Sequence, residues 1–222
     1  MPLITLKGVA KDYPMGESVV HALKNVDLVI DKAEFVSIYG PSGSGKTTLL
    51  NLIGTLDRIT SGTLCFDGQD LEMCDDNGLT EIRNEKIGFV FQRFNLIPVM
   101  SALENVMLPL QLRGEFFMTA RKKAMKRLED VGLEKVVHHR PDKMSGGQQQ
   151  RVAIARALVT DPSLVIADEP TANVDTKTSQ MLISLMRDLN RNDRTTFIFS
   201  THDQRLLDSV DRMINLKDGV IQ

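Results

Sequence analysis

The chain of 222 residues has only two cysteines, Cys65 and Cys74, and they form neither a CxxC pair nor a metal-ligand spacing. They read as incidental thiols in a reducing compartment. An excess of charge of one sign is missing too. With 27 basic and 29 acidic residues the formal net charge is −2, so no global field draws in nucleic acid, and no nucleic-acid partner is expected. The N-terminal stretch "MPLITLKGVAKDYPMG" carries Lys7, Lys11 and Asp12 and no long apolar run, which excludes a signal peptide. Elsewhere the longest uncharged runs, such as "FVSIYGPSGSG", fall far short of the ~20 apolar residues that span a bilayer. Repeats, low-complexity tracts and linkers are absent. What is present, 25% charged and 42% hydrophobic residues, is the composition of one compact soluble unit.

Residues 2 to 38 read as β structure, with partial alternation in "LITL" and "VVHALKNVDLVI" and a denser apolar run in "EFVSIY"; "GTLCFDG" adds a short strand. About residues 93–143 the character changes. "SALENVMLPLQL" and "TARKKAMKRLEDVGLEKVV" predict amphipathic helices, the second with Thr119 as N-cap. A helix from Gly146, the strand "SLVIAD", the helix "SQMLISLMRDLNR", the strand "TTFIFST", the helix "DQRLLDSV" and a final "MINLKDGVI" follow. This alternation predicts a mostly parallel α/β sheet. The division expected is a core of about 1–92 and 144–222, with an N-terminal antiparallel β part, and a helical insert of about 93–143.

Four strands end in chemistry. "GPSGSGKTT", Gly40 to Thr48, fits G-x-x-x-x-G-K-[ST] between a strand and an apolar helix. Its glycines (Gly40, Gly43 and Gly45) and serines (Ser42 and Ser44) let backbone amides wrap phosphate oxygens. Lys46 would reach the β and γ phosphates, and the Thr47 hydroxyl, followed by Thr48, would bind magnesium. "LVIADEP" puts Asp168 and Glu169 where a buried strand emerges, the first placed for the magnesium shell and the second as general base for water. "IGFVFQ" ends in Gln92, which there can contact metal and water, and "TTFIFSTH" in His202, which can hydrogen-bond a γ-phosphate. A fifth feature is "MSGGQQQR". Ser145 and Gln148 have the spacing of a capping box. Gly146 and Gly147 each cost roughly 1 kcal/mol against alanine in a helix, which implies that something approaches the bare backbone and that an anion is held there.

With these motifs in this order the chain resembles, over essentially its whole length, the nucleotide-binding subunit of an ATP-binding cassette transporter. "GPSGSGKTT" matches the Walker A loop, Gln92 the Q-loop, "MSGGQ" the signature, "LVIADE" Walker B with its glutamate, "ANVD" ending in Asp175 the D-loop, and His202 the switch histidine. Met144 and Val174 depart from the leucines common in the family and remove no catalytic group. The resemblance implies a P-loop NTPase fold, ATP and Mg2+ as cofactors, and Tyr13 of "KDYP" stacked on adenine. It also implies two subunits head to tail, with Ser145, Gly146 and Gly147 of each holding the γ-phosphate of the other's ATP.

Within the family the chain is most similar to the lipoprotein-release and macrolide-export branch, through "GESVVHALKNVDL" and "FVFQRFNLIPVMSALENVMLPL". The end at Gln222 leaves no room for the C-terminal regulatory domain of several importer ATPases, which favours that branch over them; a short importer ATPase is the alternative. A soluble repair or translation ATPase would need a coiled-coil insertion or a second cassette, and a GTPase an N-K-x-D motif; none is present. The expected site of action is the cytoplasmic face of the cell membrane, reached through a transmembrane permease partner. The stretch Phe94 to Leu108 is the expected dock for that partner, through Leu96 or Val99. Met100, Met107, Met118, Met125 and Met144 either belong to the docking surface or fill core gaps. The run "RKKAMKR" reads as a solvated helix face, with lipid headgroups as the other reading.

Overall fold

The computed structural model describes residues 2–16 and 18–222. In chain order these form β1 (Pro2–Met15), β2 (Ser18–Asp31), β3 (Phe35–Tyr39), α1 (Lys46–Ile53), β4 (Ser61–Phe66), β5 (Gln69–Asp70), α2 (Asp76–Lys86) and β6 (Ile87–Val90). Then come α3 (Ala102–Leu112), α4 (Phe117–Asp130), α5 (Gly146–Leu158), β7 (Leu164–Ala167), α6 (Thr176–Asp193), β8 (Thr196–Thr201), β9 (Arg212–Lys217) and β10 (Val220–Ile221). Strands β2-β1-β4-β5 make an antiparallel sheet, and β10-β9-β3-β8-β7-β6 a second sheet that is parallel except at β10.

The alternation in β1 is only partial because its register slips between Leu6 and Val9, where Gly8 has φ 58. The bulge moves the buried set from Ile4 and Leu6 to Val9 and Lys11. In the parallel sheet the alternation is strict. Val36, Ile38, Leu164, Ile166 and Ile198 face one core, with α1 and the antiparallel sheet. Phe35, Val165, Ala167, Phe197 and Phe199 face the other, with α3, α4, α5 and α6. Both faces are covered, as a parallel sheet requires.

The 93–143 stretch holds α3 and α4, and Val106, Leu110, Ala120, Ala124 and Leu128 share one continuous core with Val152 and Ile154 of α5. Ser101 and Glu104 complete a capping box at the start of α3. Thr119 is not the cap of α4. Gly114 turns the chain with φ 78 and the helix starts at Phe117, with Phe116 in the N-cap position and no side-chain cap, so Thr119 lies inside the first turn. The helix stops at Asp130, two residues before Gly132 at φ 69, and does not run through "GLEKVV". The segment "DQRLLDSV" forms a 3-10 turn, Gln204–Ser209, in place of an α-helix. Helix α2 has no counterpart in the sequence reading, because Leu79 is its single buried residue and no apolar stripe marks it. Of the five methionines, Met107 and Met144 are buried in the core and only Met118 is exposed, so they form no common docking surface.

Candidate functional site

The site is built where strands of the parallel sheet end. β3 runs into the loop of residues 40–45, and α1 begins at Lys46. Side chains are forbidden at two loop positions: a Cβ on Gly40 would lie 2.1 Å from the Leu216 carbonyl oxygen, and Gly45 has φ 103, with a Cβ 2.7 Å from the Ala22 carbonyl oxygen. Gly45 leaves the amides of α1 without a side-chain cap, whereas Asp75, Ser101, Ser145 and Asp175 cap α2, α3, α5 and α6. An uncapped helix start offers its amides to an anion. Lys46 is buried, and its Nζ donates to the carbonyls of Gly40 and Pro41, 2.9 Å each. Among the described residues it makes no ion pair. A buried ammonium facing only neutral carbonyls draws an anion strongly.

On the acidic side β7 ends at Ala167, and Asp168 is held twice. Its Oδ2 accepts from Thr47 Oγ1 at 2.9 Å and its Oδ1 from Ser200 Oγ at 2.6 Å. The same Ser200 hydroxyl accepts the Glu169 amide at 2.8 Å. Glu169 has a left-handed φ of 44, a conformation that costs an ordinary residue of order 1 kcal/mol or more. Its Oε1 meets His202 Nδ1 at 3.3 Å. Ser200 is fully buried at the end of β8, and the sequence reading missed it. Its signal is a serine directly after the apolar run "FIF", two residues before His202.

A cleft of about 430 Å³ opens between these groups. Ser42, Gly43, Gly45, Lys46, Thr47, Thr48 and Glu169 line it, with Val20, His21, Ala22 and Lys24 of β2 and the Asp218–Gly219 turn. The amides, the lysine and the cleft suit a chain of phosphates. The Thr47 hydroxyl and the Asp168 carboxylate, adjacent hard oxygen donors, have the chemistry Mg2+ requires.

Other expected residues lie outside the cleft lining. Tyr13 donates its hydroxyl to Asp57 at 2.7 Å, and Lys11 Nζ sits 4.8 Å from its ring centroid. Burial first, then the Asp57 carboxylate, raises its phenol above the usual value. Gln92 is exposed beyond β6, its backbone carbonyl accepting from Asn173 Nδ2 at 2.6 Å. Asp175 caps α6, and the bond from the Thr178 hydroxyl, 2.6 Å, holds its carboxyl below the ordinary range.

Ser145, Gly146, Gly147 and Gln148 open α5, and the capping box is complete: Gln148 N donates to Ser145 Oγ at 3.3 Å and Ser145 N to Gln148 Oε1 at 2.9 Å. The two glycines differ. A Cβ on Gly147 would fall 2.7 Å from Thr178 Cγ2, so packing inside the chain explains it. At Gly146 the nearest atom, the Asn173 carbonyl oxygen, is 3.4 Å away, ordinary contact. Among the described residues nothing requires glycine there.

Comparison with known proteins points the same way. A family described as ABC transporter matches residues 23–172. An uncharacterised ABC transporter ATP-binding protein of Methanocaldococcus jannaschii, MJ0796, is 49% identical over 99% of this chain and 95% of its own. The solved dimer of that cassette in a post-hydrolysis state, bound to ADP and Pi, superposes with a TM-score of 0.90 at 49% identity, covering 99% of this chain and 96% of that one. The lipoprotein-releasing system ATP-binding protein LolD of Anaeromyxobacter dehalogenans is 48% identical over 99% of this chain and 92% of its own. The macrolide export ATP-binding/permease protein MacB of Syntrophobacter fumaroxidans is 46% identical over 100% of this chain, which spans 31% of that protein.

Proposed function

The chain belongs to the ABC transporter family as its ATP-binding, ATP-hydrolysing cassette, and from that premise we propose that two copies close head to tail around two ATP to drive a membrane permease. The observation that carries the pairing is Gly146. The signature residues lie outside the phosphate cleft of their own chain, yet keep a glycine that internal packing does not require. Ser145, Gly146 and Gly147 would meet the γ-phosphate held by the other copy, which is consistent with the dimeric state described for MJ0796.

In the closed site the loop amides, the start of α1 and Lys46 hold the phosphates. Magnesium, held through Thr47, Gln92 and the Asp168 shell, would screen their charge. Glu169 takes a proton from water as the water oxygen bonds to the γ-phosphorus, and the bond from that phosphorus to the bridging oxygen breaks, leaving its electrons on ADP. His202 orients Glu169 and contacts the γ-phosphate, and Asp175 belongs to the surface that meets the second copy. Lys11 covers one face of Tyr13, so adenine would stack on the other.

Among the described residues no helix is long and apolar enough to cross a membrane. The work would be passed to a permease at the inner face of the cell membrane. A cavity of about 380 Å³ lined by Leu56, Phe89, Phe91, Leu108, Leu112 and Arg113 is an apolar seat for it. Leu96 packs partly against the core, and Val99 beside it stands exposed. The likeness to LolD and MacB favours lipoprotein extraction or export as the process driven.

The test is Glu169→Gln, which removes the base and keeps the phosphate contacts. The expected outcome is an ATP-dependent dimer on size exclusion with hydrolysis reduced at least 100-fold. Lys46→Ala should show neither dimer nor turnover. Normal hydrolysis by the Glu169→Gln protein would remove Glu169 from its role.

A further inference from the structure

The corner between α3 and α4 carries the densest run of exposed apolar side chains on the chain: Leu112 is 80% exposed, Phe116 86%, Phe117 60% and Met118 70%. Such a patch marks a contact surface. The cassette chemistry above does not use it. Arg121, Lys122 and Lys123 follow on the exposed side of α4; Glu115 is spent on Lys123 at 2.7 Å, and Asp130, Asp161, Asp188 and Asp193 share with Lys122 and Lys123 the cavity farther along the helix. Among the described residues Arg121 and Lys122 make no ion pair.

We propose that this corner docks on an anionic lipid surface, with the Phe116–Met118 tip entering the headgroup region and Arg121 and Lys122 against lipid phosphates. At these exposures the side chains project from the surface, where a peptide partner would need a groove. A projecting apolar tip backed by cations matches the interface of a charged bilayer. Its position agrees: Leu112 and Arg113 form one end of the apolar seat assigned to the permease, and Gly114, at φ 78, turns the chain there. A tip beside the seat of a bilayer-spanning partner faces the bilayer. That placement rests on the permease reading, whereas the lipid contact is read without any permease.

The experiment is co-sedimentation of the full chain with vesicles of phosphatidylcholine alone, or mixed about equally with phosphatidylglycerol. Binding is expected to the anionic vesicles only, and to weaken at high salt. The double variants Phe116→Ser/Phe117→Ser and Arg121→Glu/Lys122→Glu should each lower it about tenfold or more, with ATP turnover and thermal midpoint unchanged. No binding by the wild type, or equal binding by the serine variant, would overturn the proposal. So would a serine variant that keeps vesicle binding but changes oligomeric state or loses the permease. Failure on vesicles leaves the ATP-driven dimer and its permease seat standing.

Discussion

At Ser200 one hydroxyl holds two functional carboxylate residues at once, giving a hydrogen bond to Asp168 and taking one from the Glu169 amide. Replacing it with alanine leaves the Asp168 carboxylate held only by Thr47 and removes the side-chain partner of the Glu169 amide, whose backbone sits at φ 44. A hydrogen bond to a charged group is worth about 1.5–3 kcal/mol. Ser200→Ala should therefore lower kcat by roughly 10- to 100-fold with KM for ATP little changed, measured by steady-state hydrolysis. An unchanged kcat would show that Asp168 and Glu169 need no such tether. Gly146→Ala tests the opposite case. The added methyl meets nothing closer than 3.4 Å within the chain, so the thermal midpoint should hold or rise, since alanine favours a helix by up to about 1 kcal/mol. ATP-dependent dimerisation should fall nonetheless. The two residues also differ in legibility: the Lys46 and Thr47 register is local and can be read directly, whereas the part played by Ser200 exists only because β8 lies beside β7.

Between elements, Asp211 fastens three. It accepts the Phe35 amide at the start of β3 at 2.9 Å, forms a two-pronged ion pair with Arg187 of α6, and directly precedes β9. The Arg187 hydrogen bond, with help from the Phe35 amide, holds its carboxyl below the ordinary range, although burial opposes it. A depressed folded value stabilises the protein above the unfolded carboxylate value near 3.9 and is lost as pH falls through the folded one. Urea midpoints taken downward from pH 5 should therefore show a loss below about pH 4. In Arg187→Met that acid-dependent part should shrink, and an unaltered profile would contradict the assignment. Elements with a strong period or a local cap, such as α3 by its period and α5 by the Ser145–Gln148 box, could be read from sequence. Helix α2, with one buried residue, could not, and α4 was misread at its start because a polar Thr119 looks like a cap while the turn at Gly114 sets the boundary.

For the whole molecule, the parallel sheet and its phosphate loop follow from strand-helix alternation and one local motif. The pairing of two copies does not, because a half-site looks the same whichever chain completes it. Complementation decides. Lys46→Ala and Ser145→Arg proteins should each be nearly inactive alone, since every site in either homodimer has one damaged half. In a mixed dimer one site collects both defects, and the other joins an intact Lys46 to an intact Ser145. Single-turnover hydrolysis on mixing, with heterodimers counted by native mass spectrometry, is the most direct test. The expected result is recovered turnover in proportion to heterodimer. Heterodimers that form without any recovery would contradict a γ-phosphate held between two chains.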